Sequence, residues 1–181
     1  MITRMHALTV FSLLLLASLY GCSTTPDAAA YPVGKLQLHL ALEIEPDAAT
    51  ARLQYGRIVA RNAVQEHDPF CVFEIDTVRP EIQVVQPGEF SITGISRSIE
   101  TFAGMPVFPR YTMRVSLGDD DSPTHIYYKT TFRLHDAQRP VRALTCMSNQ
   151  NAPGNTNFMR HLTMAEIRSA LGSWFTLHLA R

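Results

Sequence analysis

The chain has 181 residues, with 16 Lys and Arg against 16 Asp and Glu and 46% hydrophobic side chains. That length suits one domain with short extensions. Zero formal charge gives no global electrostatic case for nucleic acid, whose binding proteins are usually basic. The 18% of charged residues argues equally against a disordered chain.

The amino terminus carries the strongest local signal. Arg4 and the free amine form a positive start, and Ala7 to Gly21 is a run of 15 uncharged residues centred on Leu13-Leu14-Leu15-Leu16. A bilayer core takes roughly 20 apolar residues to span, so this run is short for a transmembrane helix. It fits the hydrophobic region of a secretory signal peptide over residues 1–21. The following Leu19-Tyr20-Gly21-Cys22 resembles the lipobox of bacterial lipoproteins, with Tyr20 bulkier than the usual occupant of its position. The resemblance implies cleavage before Cys22, diacylation of its thiol and acylation of the new amine. Two or more acyl chains anchor stably where one holds only marginally. Ser23, rather than Asp, follows the cysteine, which in the enteric type of sorting implies transfer to the outer membrane, with the body facing the periplasm. Residues 22–32 then read as the lipidated end and a flexible tether of Ser, Thr, Pro, Asp and Ala.

Cys71 and Cys146 remain once Cys22 is assigned to lipid. In an oxidising periplasm they are expected to pair, closing a loop of about 75 residues worth roughly 4.5 kcal/mol in the chain-entropy model. The competing readings are a reactive thiol with His67 as its base, or a metal ligand. Neither Cys-x-x-Cys nor His-x₃₋₅-His spacing supports zinc, so no metal site is expected.

Residues 33–181 read as a single β-rich domain. Residues 35–45 alternate, with Leu36, Leu38, Leu40, Leu42 and Ile44 on one face, and predict one half-buried strand. A second strand is expected over 51–59, with Gly56 at a bulge. Residues 62–69 read as loop. Further strands are predicted over 71–76, 82–85, 90–92, 110–117, 126–134 and 143–147, separated by turn signals such as Gln86-Pro87-Gly88-Glu89. The segment 149–157 is polar loop. Thr163-Met164-Ala165-Glu166 is a capping box opening a short helix that Gly172 stops, with Leu162 and Ile167 as its staple. Phe175, Leu177 and Leu179 then mark a last strand. The expected fold is mainly β: an antiparallel β-sandwich or partly open barrel with one short C-terminal α-helix. An immunoglobulin pattern fails, because Trp174 follows the second cysteine and Leu144 stands where the corner tyrosine would be.

Signals for chemistry are sparse. Asp119, Asp120 and Asp121 with His125 could bind a cation, yet the run lacks the calcium-loop pattern and sits where a turn is expected. Gly94-Ile95-Ser96-Arg97-Ser98 lacks the final glycine of a nucleophile elbow. There is no dinucleotide or phosphate-loop motif, so no cofactor is implied. Tyr111, Tyr127, Tyr128 and Phe132 either fill a sheet core or line a groove. His39 and His178 fall on polar strand faces, where solvated histidines are expected.

The words Ala51-Arg52-Leu53-Gln54-Tyr55-Gly56-Arg57, Asp68-Pro69-Phe70-Cys71-Val72-Phe73-Glu74 and Gln86-Pro87-Gly88-Glu89-Phe90 resemble uncharacterised proteobacterial lipoproteins, as do Leu144-Thr145-Cys146 and the 162–172 helix. The resemblance implies no activity. The leading expectation is a non-enzymatic binding or structural module of the cell envelope, anchored by lipid and meeting an envelope protein. An inhibitor of a foreign lytic enzyme, acting through 149–157, is the second reading. An envelope hydrolase built on His67, His125 and the acidic triplet is the third.

Overall fold

The computed structural model describes residues 33–102, 125–150 and 159–180. The proposed signal peptide, lipobox and tether, the expected strand over 110–117, Tyr111, the acidic triplet and most of the 149–157 loop lie outside the described residues.

Among the described residues ten strands and one helix follow in chain order: β1 Gly34–Leu38, β2 Leu42–Ile44, β3 Thr50–Gln54, β4 Arg57–Val59, β5 Phe70–Ile75, β6 Gln83–Val85, β7 Gly88–Phe102, β8 His125–His135, β9 Val141–Met147, α1 Met164–Leu171 and β10 Phe175–Leu179, with a short 3₁₀ turn at Arg61–Ala63. Eight strands form one antiparallel sheet in the order β10-β1-β7-β8-β9-β5-β3-β4, while β2 and β6 pair separately. The large sheet curls into a half-barrel, matching the expected mainly β fold with one short helix. Its inner face carries Leu36, Leu38, Leu53, Phe73, Phe90, Ile92, Phe132, Leu144, Phe175 and Leu177, all in one buried cluster that also takes Leu42, Ile44 and Val85 from the small sheet. Phe73 sits at the middle of it, with ring centroids 5.9 Å from Phe90 and 5.3 Å from Phe175.

The helix closes this core. α1 packs against β3, β5 and β10, so it spans between the two ends of the strand order. Ile167, Ala170 and Leu171 point inward. The predicted capping box is present: Glu166 N–H donates to Thr163 Oγ1 at 3.3 Å, and Thr163 N–H donates back to Glu166 Oε2 at 2.7 Å. Arg160 adds a two-pronged ion pair to the same carboxylate, at 2.8 Å for each prong. That guanidinium, with the cap hydrogen bonds, holds the Glu166 carboxyl at about 2, against an ordinary value of 4.5.

Three sequence expectations change. Residues 35–45 are two strands, not one: β1 joins the large sheet and β2 the small one, and the chain bends between them. Four of the five alternating positions are fully buried, but Leu40, at the bend, is 49% exposed. Residues 51–59 are a hairpin, not a bulged strand. Tyr55 and Gly56 form its two-residue turn with φ of 53° and 71°, the double left-handed geometry that matches the twist of paired strands. Gly56 donates to Ala170 O at 3.1 Å, and its backbone lies so close to Gly172 that a Cβ on Gly172 would overlap it. Two glycines thus let the β3–β4 turn touch the end of α1. Finally, the short strand expected at 90–92 is the beginning of the 15-residue β7.

Cys71 and Cys146 are directly opposite one another on β5 and β9 and are joined by a disulfide, with Cα atoms 4.0 Å apart. Both are fully buried in the main core, which removes Cys71 as a thiol nucleophile. A second fastening comes from Arg139 in the β8–β9 turn. Its guanidinium donates to Asp136, to the Gln86, Pro87 and Glu89 carbonyls, and lies 4.3 Å above the Phe90 ring. Arg139 holds the Asp136 carboxyl below its usual range.

Replacing both cysteines with alanine is expected to lower unfolding free energy by roughly 4 kcal/mol. Urea titration checks this, and reductant should shift the parent protein but leave the double variant unmoved. Thr163→Ala is expected to cost about 1 kcal/mol by the same measurement. The Glu166 carboxyl is depressed on folding, so its contribution is complete above about pH 5 and disappears as pH falls towards the folded value. The stability gap between parent and Glu166→Gln should therefore shrink with acidification across that window.

Candidate functional site

The β7–β8 pair does more than contribute to the sheet. β1 pairs with β7 only from Gly88 to Ile92, and a register shift follows between Ile92 and Gly94. From there to Phe102, β7 continues as an arm paired to β8 down to His125. Along this arm no described strand occupies the other edge of β7, so its outward N–H and C=O groups have no strand partner among the described residues.

Opposed residues on paired strands share a face. Ile95 opposes Phe132, Arg97 opposes Thr130, and Ile99 opposes Tyr128, which sets all six on the inner face. Phe132 is core, but Ile95 is 44% and Ile99 55% exposed. Tyr128 is half-buried and meets the His161 ring edge-on at 5.5 Å. Thr130 Oγ1 and His161 Nδ1 are the buried side-chain polar atoms left without a hydrogen bond among the described residues. Arg97 is exposed.

The outer face of the arm has a different character. Glu100 and Lys129 form an ion pair there. Beyond it Tyr127, Phe70 and Met147 make a small second cluster, backed by Val64 and Val72. Tyr127 Oη donates to Glu66 Oε2 at 2.5 Å, and burial first, then this hydrogen bond, push the phenol above its ordinary range. Asn149 Oδ1 accepts from Ile126 N–H at 3.2 Å, which fixes the amide orientation, since a backbone N–H can only donate. Asn149 Nδ2 therefore donates to His125 Nδ1 at 2.6 Å, and the imidazole proton belongs on Nε2. Glu66 Oε2 lies 3.6 Å from the same ring nitrogen. The Asn149 N–H donates to Glu66 O at 2.6 Å, so the whole group binds the loop after β4 and the chain after β9 to the start of β8.

Of the residues singled out by sequence, His125 thus belongs to a fastening network and His67 is exposed. The acidic triplet lies outside the described residues. The four aromatics divide: Phe132 is in the main core, Tyr127 in the outer cluster and Tyr128 on the arm's inner face. His39 and His178 are exposed, His39 Nε2 lying 2.7 Å from Thr176 Oγ1. Among the described residues no three His, Cys, Asp or Glu are grouped to hold a metal ion. Glu66, Asn149 and the arm's Ile95, Arg97 and Ile99 were not anticipated. A signal for the arm exists in Ile95-Ser96-Arg97-Ser98-Ile99, where the alternation of Phe90 and Ile92 resumes one residue out of step.

Tyr127→Phe removes the donor to a half-buried carboxylate and is expected to cost about 1.5 kcal/mol at neutral pH, read by urea titration. Tyr127→Phe in a Glu66→Gln background should cost clearly less, because the charged acceptor is gone. No protein-family model matches the chain, and comparison with curated proteins and with solved structures returned no match.

Proposed function

We propose that the chain is a lipid-anchored, non-enzymatic binding module of the bacterial cell envelope, held through Cys22 on the periplasmic side of the outer membrane, which receives a protein partner along the open edge of β7. The observation carrying the binding reading is the arm itself. An edge that no described strand pairs, beside two exposed isoleucines, is a surface suited to strand addition, in which backbone hydrogen bonds supply affinity and side-chain pockets supply selectivity. The half-barrel behind it is stapled between β5 and β9, and a preorganised surface loses less freedom on binding. The anchoring reading rests on Leu19-Tyr20-Gly21-Cys22 and the uncharged run before it. Residues 22–32 would leave the domain within about 40 Å of the bilayer, since an extended chain reaches at most about 3.6 Å per residue.

Weighing the product purified from its own host tests the anchor. The expected mass is that of a chain starting at Cys22 plus its acyl groups. The mass of the unmodified full-length polypeptide overturns it.

A further inference from the structure

The partner's chemistry can be read from the arm. Along the inner face β7 presents Ile95, Arg97 and Ile99 in sequence, two exposed apolar side chains around one exposed cation. Several charged groups around this arm and sheet are matched, Lys35 to Glu89, Lys129 to Glu100, Arg139 to Asp136 and Arg160 to Glu166, while Arg97 shares the inner face with neither an acid nor a second base. Arg97 has no hydrogen bond or ion pair among the described residues, and its cross-strand neighbour is the neutral Thr130. A strand laid on the open edge places its own inner-face side chains beside this row, one opposite each position. We infer that the edge takes an extended peptide whose alternate residues run apolar, acidic, apolar, with the acid paired to Arg97 and the apolar residues against Ile95 and Ile99. This rests on the strand-addition reading above and gives it a sequence preference.

A second copy of the chain is the competing occupant, and charge argues against it. In any two-fold antiparallel pairing of β7 with itself, inner-face residues oppose inner-face residues. The row Ile95, Arg97, Ile99 and Thr101 contains no acid, so each such register leaves both arginines unmatched or opposes them. The only acid of this stretch, Glu100, lies on the other face with Lys129. A partner strand with a carboxylate at the central position satisfies the arginine, the isoleucines and the open backbone at once.

The test uses the full chain in detergent and three fluorescent heptapeptides that differ only at the centre: Thr-Val-Ser-Asp-Ser-Val-Thr, its Lys counterpart and its Ser counterpart. The Asp peptide is expected to bind at least tenfold more tightly than the Lys peptide, less so in high salt, and to lose binding when its edge-facing amides are N-methylated. Arg97→Glu, an exposed position, should reverse the order of Asp and Lys peptides while leaving the thermal midpoint unchanged. Equal binding of all three peptides to the parent protein overturns the acidic preference and leaves strand addition standing. Absence of binding by any of them, or a photo-crosslinker at Ser98 that joins only residues of its own chain or a second copy, overturns strand addition as well.

Discussion

The pairing of β5 with β9 is the contact on which the rest of the domain depends. It is the seam of the large sheet: on one side lie β10, β1, β7, β8 and β9, on the other β5, β3 and β4. The two strands are far apart in sequence, so their association bears a large chain-entropy cost that the local hairpins do not. The Cys71–Cys146 disulfide crosses this seam at its centre and limits the freedom of the unfolded chain, while its sulfur atoms fill space beneath the core. Met147, opposite Phe70, carries the same register to the outer face and seats the second apolar cluster there.

Curling a sheet creates an inner face whose ends must be covered, and the chain covers them with few residues. α1 is only eight residues long, which would be marginal in water without tertiary support. Its capping box, the Arg160 ion pair and its three buried apolar residues compensate, and the Gly56–Gly172 approach brings the β3–β4 turn against its end. Arg139 ties the β8–β9 turn to the β6–β7 turn through the Gln86, Pro87 and Glu89 carbonyls. Stability is thus concentrated at seam, cap and turns, so the arm of β7 and β8 can extend past the core.

That extension explains why the arm has two unlike faces. Near Ile92 the sheet is covered on its inner side, and alternation means buried against exposed. Past Gly94 the inner face is covered on the β8 side, where Thr130 is buried, but Ile95 and Ile99 of β7 are exposed, and the other face carries an acid–base pair. Exposed β-branched residues along a strand edge are a liability in an isolated domain, and a charged side chain set between them is one way such an edge is kept from pairing with a copy of itself.

The local patterns in the sequence determined the capping box at Thr163, the stop at Gly172, the strand character of most segments and the burial of Leu36, Leu38, Leu42 and Ile44, because helix ends and pleated faces are set by neighbours within a few residues. The pairing of the two body cysteines was legible from their number once Cys22 was set aside. Where patterns fail, a distant contact intervenes. The 35–45 alternation is broken at Leu40 because its two halves pair with different partners, β7 and β10 for one, β6 for the other. Gly56 serves a turn because the helix end waits against it. His125 and Glu66 meet although 59 residues separate them. The order of the described strands was decided by tertiary structure alone, since period-two sequence patterns specify faces but carry no information about neighbours.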